Sequence, residues 1–155
     1  MVNAYFMDSS ALVKRYVVET GTVWIQTVAS PSSHNRIIVA RISWVELLSA
    51  LARREREGSL ALDQVTKAIQ AFRYDWDTQY QVIDLDQTLV ETAGQLIRRH
   101  PLRAYDAVQL ASALKMLPLF ASACHTSLTF LAADDRLLAV AQAEGLLTDN
   151  PARHP

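Results

Sequence analysis

The chain has 155 residues, of which half are hydrophobic, and it carries a formal net charge of −1 at pH 7. This length is typical of one compact domain, and the hydrophobic content excludes a disordered chain. The near-neutral charge argues against a broadly basic nucleic-acid-binding surface, although a local basic face remains open. The single cysteine, Cys124, excludes an internal disulfide and is expected to be an ordinary buried thiol in a reducing cytosol.

The first half of the chain predicts two buried strands, each followed by helices. Residues 3–7 form a short apolar run typical of a buried strand, and "SSALVKRYV" predicts a helix that stops before Gly21. "TVWIQTVAS" predicts a second helix that ends near Ser30 and Pro31. The β-branched run "RIIVA" predicts a second strand, and "SWVELLSALARRERE" predicts an amphipathic helix behind it.

The second half repeats this alternation. A helix is expected over residues 62–76, "YQVIDL" predicts a third strand, and Asp86 is expected to cap the helix that ends before His100. "AYDAVQLASALKML" predicts a helix that runs to Pro118, and "SLTFLAA" predicts a fourth strand. "DRLLAVAQAE" predicts a helix that ends at Gly145, "LLT" predicts a short last strand, and the tail "DNPARHP" is expected to be frayed.

Strands that alternate with helical crossovers predict a parallel sheet covered on both faces. We therefore expect an α/β fold, a three-layer α/β/α sandwich with a central, mostly parallel sheet of four or five strands. One domain is expected over residues 1–150, followed by a C-terminal tail over 151–155. No run reaches the ~18 apolar residues of a membrane helix, and the first apolar run lacks the basic flank of a signal peptide. These features predict a soluble, cytoplasmic protein.

Three acidic residues stand where predicted strands give way to helices. Asp8 ends the first strand, Glu46 opens the helix after the second, and Asp134 ends the fourth, with Asp135 beside it. The carboxyl ends of parallel strands share one edge of a sheet, where ligands bind, so these acids are expected to lie together. Asp106 follows a helix, so sheet topology alone does not place it.

Each acid also has a purely structural explanation. Asp8 and Asp134 suit helix N-caps. Glu46 stands three residues after Ser43, which is the spacing of a capping box. Asp106 shares a helix face with apolar residues, so its carboxylate would point toward apolar packing and require a partner. Taken together, gathered carboxylates repel one another, and an all-oxygen site that gathers them favours Mg²⁺ or Mn²⁺ and phosphodiester chemistry.

Four segments together resemble the PIN-domain family, and most closely the VapC-type toxins of bacterial toxin–antitoxin pairs. They are "FMDSSALVKRY", "ISWVELLSALARRE", "LRAYDAVQLASAL" and "TFLAADDRLLAVAQAEGL", in the family's order and over essentially the full length. The resemblance implies a Mg²⁺-dependent endoribonuclease, with Mn²⁺ as an alternative metal. It implies that the catalytic, metal-binding acids are Asp8, Glu46, Asp106 and Asp134, and it brings Asp106 to the edge that the other three share.

The resemblance also suggests roles for these acids. Asp8 and Asp106 are expected to hold the principal ion, while Glu46 and Asp134 position water or a second ion. The expected reaction is hydrolysis of an RNA phosphodiester bond by metal-activated water, which leaves a 5′-phosphate and a 3′-hydroxyl. Asp134 stands at the family position of the fourth acid, and Asp135 is then expected to cap the helix; the alternative assignment of the fourth acid to Asp135 stays open.

Neighbouring polar residues are expected to support the acids. Relatives often carry Thr or Ser two positions before the last acid, where this chain has Ala132. Ser9 or Ser10 is therefore expected to orient a carboxylate instead. Gln109 follows Asp106 by three positions, where many relatives have His; it is interpreted as a hydrogen-bonding residue behind the acids, with plain solvation as the alternative.

Basic residues near the acids are candidates for holding the RNA backbone. They are Lys14, Arg15 and Arg53. A solvated helix face is the alternative for the arginine-rich stretch, because Glu55 and Glu57 are interleaved with its arginines.

The resemblance implies three partners: an RNA substrate, a cognate VapB-type antitoxin, and a second copy of the chain in a homodimer. A PIN nuclease of RNA processing without an antitoxin is one alternative. A non-catalytic, Mg²⁺-binding α/β regulatory domain is another, although no late strand offers the Lys that such domains carry. A binding module whose acids only cap helices is a third.

Overall fold

Residues 2–122 and 126–155 are described by the computed structural model of the chain, and Cys124 lies outside the described residues. In these two stretches of chain, five strands form one sheet; they are β1 Ala4–Met7, β2 Arg36–Ala40, β3 Gln81–Ile83, β4 Leu128–Leu131 and β5 Leu147–Asp149. All pairings are parallel, in the order β3-β2-β1-β4-β5. The expected parallel sheet is therefore confirmed.

Seven α-helices in the described ranges flank the sheet. They are α1 Ser9–Leu12, α2 Thr22–Val28, α3 Ser43–Arg56, α4 Leu62–Thr78, α5 Gln87–Arg99, α6 Ala104–Ala121 and α7 Asp135–Ala143. The helices α1 to α4 contribute to one core cluster, and α5 to α7 contribute to the other. The α/β/α sandwich is thus confirmed. No helix in the described part of the chain is long and apolar enough to cross a membrane.

The central strands supply apolar residues to both faces of the sheet. Successive side chains of a strand point to opposite faces. Phe6 and Phe130 accordingly lie in the core on the α5–α7 side, where their rings stack with centroids 5.6 Å apart. Met7 and Leu131, one residue further along, lie in the core on the α1–α4 side. This two-sided burial explains why the strands read as unbroken apolar runs.

Two predicted helix ends are wrong. The helix after β1 is shorter than expected, since α1 ends at Leu12 and a 3-10 turn covers Val13–Arg15. By contrast, α6 continues through Pro118 to Ala121. Proline removes one helical hydrogen bond, but the buried side chains on either side of it, Met116 and Phe120, hold this part of the helix against the core.

The tail that was expected to fray is docked instead. Asn150 is buried, and its side-chain N–H donates to Asp135 Oδ1 at 2.9 Å. Arg153 donates to the same oxygen at 3.0 Å. The His154 ring stacks on Trp24, with centroids 4.1 Å apart. These partners are distant in sequence, so the polar composition of the tail gave no sign of them.

A substitution at Gly21 tests whether this tail is docked. Its φ is +91°, and an added Cβ would lie 2.4 Å from the carbonyl oxygen of Pro151. We expect Gly21→Ala to destabilise the protein by more than the roughly 1–2 kcal/mol that a left-handed backbone alone costs. Gly145→Ala is the matched control, because its φ is +96° and no described atom lies within 4 Å of the added Cβ. The melting temperature of wild type should be higher than that of Gly145→Ala, which in turn should be higher than that of Gly21→Ala. Equal melting temperatures for the two variants would contradict the docked tail.

Candidate active site

The four predicted acids lie around the carboxyl edge of the central strands. Asp8 directly follows β1, Glu46 lies in the first turn of α3 behind β2, and Asp134 is the N-cap of α7 after β4. Asp106 lies in the first turn of α6. The negative charges of Glu46 and Asp106 both act on Asp8, and Arg103 contacts both Asp106 and Asp134. The structure thus brings together residues that are widely separated in the chain.

Asp8 is a buried carboxylate, with only 4% of the residue exposed. Burial raises its pKa to about 6; hydrogen bonds from Ser10 oppose the rise, and the charges of Glu46 and Asp106 add to it. Both hydrogen bonds are accepted by Oδ2, from Ser10 N at 3.1 Å and Ser10 Oγ at 2.6 Å. Within the described residues Oδ1 accepts none, so this oxygen can bind a cation, which would relieve the repulsion.

The Ser10 hydroxyl joins two strand ends. It donates to Asp8 and accepts a hydrogen bond of 2.9 Å from the backbone N–H of Ala133. Ala132, two positions before Asp134, is buried and has no hydroxyl to donate. The hydroxyl that orients the buried carboxylate therefore comes from α1 and not from the end of β4.

Glu46 is held by two side chains, one on each oxygen. Ser9 Oγ donates to Oε2 at 3.1 Å, and Gln109 Nε2 donates to Oε1 at 2.7 Å. Burial raises the pKa of Glu46, the two hydrogen bonds oppose this, and the charge of Asp106 adds to the rise. The capping-box interpretation is wrong, because Ser43 is already the first residue of α3 and not its N-cap. The buried Ser43 hydroxyl instead accepts a hydrogen bond of 2.9 Å from Gln109 Nε2.

Gln109 is fully buried, which rules out plain solvation. Its Nε2 bridges the Ser43 hydroxyl and the Glu46 carboxylate. Its Oε1 has no hydrogen-bond partner among the described residues. The contacts therefore place Gln109 directly behind Glu46, as the hydrogen-bonding interpretation expected.

The two adjacent aspartates have different partners. Asp134 Oδ1 accepts from two backbone N–H groups of α7, at 2.9 and 3.4 Å, while its Oδ2 lies 3.7 Å from Arg103. Asp135 instead binds Asn150 and Arg153 of the tail. The expectation that Asp135 caps α7 is wrong, because Asp134 is the cap. Of the two, Asp134 is the one that shares a basic partner with another acid of the edge.

Asp106 is partly exposed and does not point into apolar packing, contrary to expectation. Its side chain is 27% exposed, and its Oδ2 lies 3.4 Å from Arg103 Nε. A position in the first turn of α6 keeps the carboxylate at the sheet edge. Sequence reasoning missed Arg103, although the segment "RAYD" contains the signal, an arginine three residues before an aspartate that opens a helix.

Two of the three basic candidates line a groove beside the acids. The groove has a volume of about 680 Å³, and its walls include Lys14, Glu46, Arg53 and Arg103. Lys14 is nearly buried, with its Nζ 3.1 Å from Glu19, whereas Arg53 is exposed. A smaller depression of about 230 Å³ contains Asp106 and Asp134 and shares Arg103 with the groove.

The third basic candidate, Arg15, is engaged elsewhere. Its guanidinium donates to Gln79 at 2.9 Å and to Tyr80 at 2.8 Å, and it lies 3.4 Å from Asp75. Only 12% of its side chain is exposed. These contacts join the 3-10 turn to the end of α4 and occupy the guanidinium of Arg15.

The donor chemistry of the edge fits a hard divalent cation. All four acids offer carboxylate oxygens, which Mg²⁺ and Mn²⁺ prefer. Among the described residues no three acidic, histidine or cysteine side chains form a ready-made metal cage. Such a cage is not required, because proteins usually hold Mg²⁺ through one or two carboxylates, with waters and substrate phosphates completing the coordination.

Comparisons with known proteins identify the family and the fold. The PIN domain family matches residues 5–143. Ribonuclease VapC45 of Mycobacterium tuberculosis is 33% identical over 114 residues, which cover 70% of this chain and 74% of the relative. VapBC2 from Rickettsia felis, solved bound to a DNA fragment from their promoter, has a TM-score of 0.64 at 12% identity and covers 95% of this chain and 98% of its own. A toxin–antitoxin complex from Klebsiella pneumoniae has a TM-score of 0.61 at 16% identity, covering 95% and 97%. At these identities the two solved structures show the fold.

Replacement of Asp8 should stabilise the metal-free protein. The folded protein keeps the Asp8 proton up to about pH 6, whereas the ordinary pKa is 3.8. The folded state thus binds more protons, so the stability of wild type falls as pH rises between these values and stays lower above them. We expect Asp8→Asn to raise the free energy of unfolding by about 1–3 kcal/mol at pH 7.5, and by less near pH 4.5.

Urea unfolding in EDTA at the two pH values measures this effect. Asp77→Asn is the control, because it removes an exposed carboxylate on α4 and should change stability little at either pH. An Asp8→Asn protein that is no more stable than wild type at pH 7.5 would contradict the desolvated carboxylate.

Proposed function

The chain belongs to the PIN-domain family, and from that premise we propose that it is a divalent-metal-dependent endoribonuclease, the toxin of a toxin–antitoxin pair. Its relative VapC45 is a ribonuclease by name. The observation that carries the proposal is the buried Asp8, whose pKa is raised by burial and by the charges of Glu46 and Asp106. A desolvated carboxylate beside two others is a costly arrangement that a bound cation relieves.

We assign the metal-binding role to the four acids of the sheet edge. Asp8 Oδ1 and Asp106 hold the principal ion, while Glu46 and Asp134 position water or a second ion. Mg²⁺ is the proposed metal, and Mn²⁺ replaces it. Two of these acids have an orientation set by a neighbour: Ser10 orients Asp8, and the backbone of α7 orients Asp134.

The chain's own residues prepare the site for hydrolysis of a phosphodiester bond. A bound divalent cation lowers the pKa of a water molecule and balances charge on the leaving oxygen. Glu46 is fixed through both oxygens by Ser9 and Gln109, so its remaining lone pairs can orient a water molecule. Because these contacts exist before substrate arrives, little reorganisation is needed during the reaction.

The groove of about 680 Å³ beside the acids is the proposed path of the RNA strand. The exposed Arg53 on its wall supplies positive charge for phosphates, and the exposed Tyr105 offers a ring to an unstacked base. Lys14, which is buried and paired with Glu19, adds to the positive potential of the groove from below its surface. A local basic path suits a chain whose net charge is close to zero. Single-stranded RNA, whose bases are free to splay, is the substrate class that such a groove accepts.

A VapB-type antitoxin and a second copy of the chain are the proposed protein partners, and we place the activity in the cytoplasm. The likeness to a Klebsiella pneumoniae toxin–antitoxin complex favours the toxin role over an RNA-processing nuclease without an antitoxin. A regulatory domain without catalysis is disfavoured, because the relative matched over 74% of its length is named a ribonuclease.

Metal-dependent cleavage is the direct test. Protein freed of antitoxin should cut a mixed pool of structured and single-stranded RNA in Mg²⁺ or Mn²⁺ and not in EDTA. Asp8→Asn and Asp106→Asn should each lower the cleavage rate by at least about 100-fold, because each removes a charge that acts on the reacting phosphate. Asp77→Asn, on an exposed helix face, should cut like wild type. Cleavage that persists unchanged in both site variants would overturn the proposed site.

Paired substitutions distinguish the two adjacent aspartates. Asp134→Asn should reduce cleavage strongly while leaving the fold intact, because asparagine is also a good N-cap. Asp135→Asn should retain most activity and lower the melting temperature, since it weakens the contacts with Asn150 and Arg153. Cleavage rates and melting curves of the two variants test this assignment. The reverse pattern would make Asp135 the fourth acid.

A further inference from the structure

We propose that Arg103 is an exchangeable counter-ion, which neutralises Asp106 and Asp134 in the metal-free protein and binds an RNA phosphate once a divalent cation displaces it. The inference rests on the proposed metal-dependent function. It concerns a residue outside the four acids, and its two halves make separate predictions for metal binding and for RNA binding.

The contacts of Arg103 place it between two acids that belong to different helices. Its Nε lies 3.4 Å from Asp106 Oδ2, and one terminal nitrogen lies 3.7 Å from Asp134 Oδ2. Within the described residues, neither acid forms an ion pair with any other basic side chain. Arg103 is therefore the charge that offsets the repulsion between these carboxylates when no metal is bound.

The same contacts are weak enough to be exchanged. Both distances exceed the 3.1 Å of the neighbouring Arg54–Glu19 pair, and 78% of the Arg103 side chain is exposed. Exposed ion pairs of this kind contribute little to stability, because solvent screens them. A divalent cation carries twice the charge of the guanidinium, so it should replace Arg103 at these carboxylates.

Arg103 and a metal ion would compete for the same oxygens. Asp134 uses Oδ1 to cap α7, which leaves Oδ2 as the oxygen available to either cation. Asp106 also presents Oδ2 to Arg103. Because binding of the two cations is mutually exclusive at these atoms, loss of the arginine should strengthen metal binding.

The position of Arg103 suits contact with RNA after its release. The residue lines both the groove of about 680 Å³ and the depression of about 230 Å³ that holds Asp106 and Asp134. A phosphate placed at these acids would lie within reach of a guanidinium that stands at the rim of both. Arginine binds phosphate oxygens through two parallel N–H donors, which an ammonium group cannot reproduce.

Metal affinity is the first measurement. Mn²⁺ binding to the EDTA-treated full chain, without RNA, is followed by the electron paramagnetic resonance signal of free Mn²⁺ at low salt. We expect Arg103→Gln to bind Mn²⁺ about three- to tenfold more tightly than wild type, which corresponds to the loss of one or two exposed ion pairs. The Mn²⁺ affinity of Arg103→Lys should lie between those of wild type and Arg103→Gln. Arg136→Gln is the matched control, because Arg136 lines the same depression without an ion pair to either acid, and it should change the affinity less than twofold.

RNA affinity is the second measurement and should change in the opposite direction. Glu46→Gln and the double variant Glu46→Gln/Arg103→Gln are titrated in Mg²⁺ with a fluorescently labelled, mixed-sequence single-stranded RNA. The double variant should bind the RNA several-fold more weakly than Glu46→Gln does, because it lacks the guanidinium that contacts a phosphate. Circular dichroism and melting curves verify that each variant is folded.

The outcomes separate this inference from the function on which it rests. Failure of wild type to bind Mn²⁺ would overturn the metal-dependent function together with the inference. Mn²⁺ binding of equal strength in wild type and Arg103→Gln would overturn the inference alone, as would an equal gain in Arg136→Gln. Equal RNA affinity of the double variant and Glu46→Gln would also overturn the inference. Tighter Mn²⁺ binding with weaker RNA binding supports it.

Discussion

The parallel register of the central strands is the constraint on which the site depends. Met7 of β1 pairs with Leu131 of β4, so the two strands end at the same level. The backbone N–H of Asp8 then donates to the Leu131 carbonyl at 2.9 Å. The Ser10 hydroxyl closes this edge by bonding Asp8 and the backbone of Ala133, which is 123 positions away. A shift of one residue in this pairing would turn the core side chains of the shifted strand to the opposite face and separate the acids.

Helix capping and cation binding draw on different oxygens of the same side chains. Asp8 uses Oδ2 for Ser10, and Asp134 uses Oδ1 for the backbone of α7. The structural explanation of Asp8 and Asp134 as helix caps is therefore correct and does not exclude the functional one. A cap of this kind typically contributes about 1 kcal/mol, and it also fixes the rotamer of the carboxylate. The second oxygen is thereby held in a defined direction without further supporting residues.

Sequence patterns correctly predicted the elements whose ends depend on local residues. They failed for features that depend on contacts between residues distant in the chain. The strand Arg36–Ala40 was predicted with its observed ends, because β-branched content and flanking turns define it. The stop at Pro118 was wrong, because tertiary packing outweighs one lost hydrogen bond. Strand ends located three of the acids, whereas Asp106 needed a family resemblance, since no strand precedes it. The docking of Asn150 and the pairing of Arg103 depend on partners that only the folded chain brings near.

The docked tail has a consequence for how such sequences can diverge. Asp135 is the direct neighbour of Asp134, and it provides one oxygen to both Asn150 and Arg153. A change at Asp135 would leave a buried amide and an arginine without their shared partner, which is costly for the buried group. Single substitutions in this set are therefore disfavoured, and evolutionary drift should replace its members jointly. Asn150 and Arg153, which have no proposed role in the reaction, are thus constrained because their partner Asp135 is the direct neighbour of Asp134.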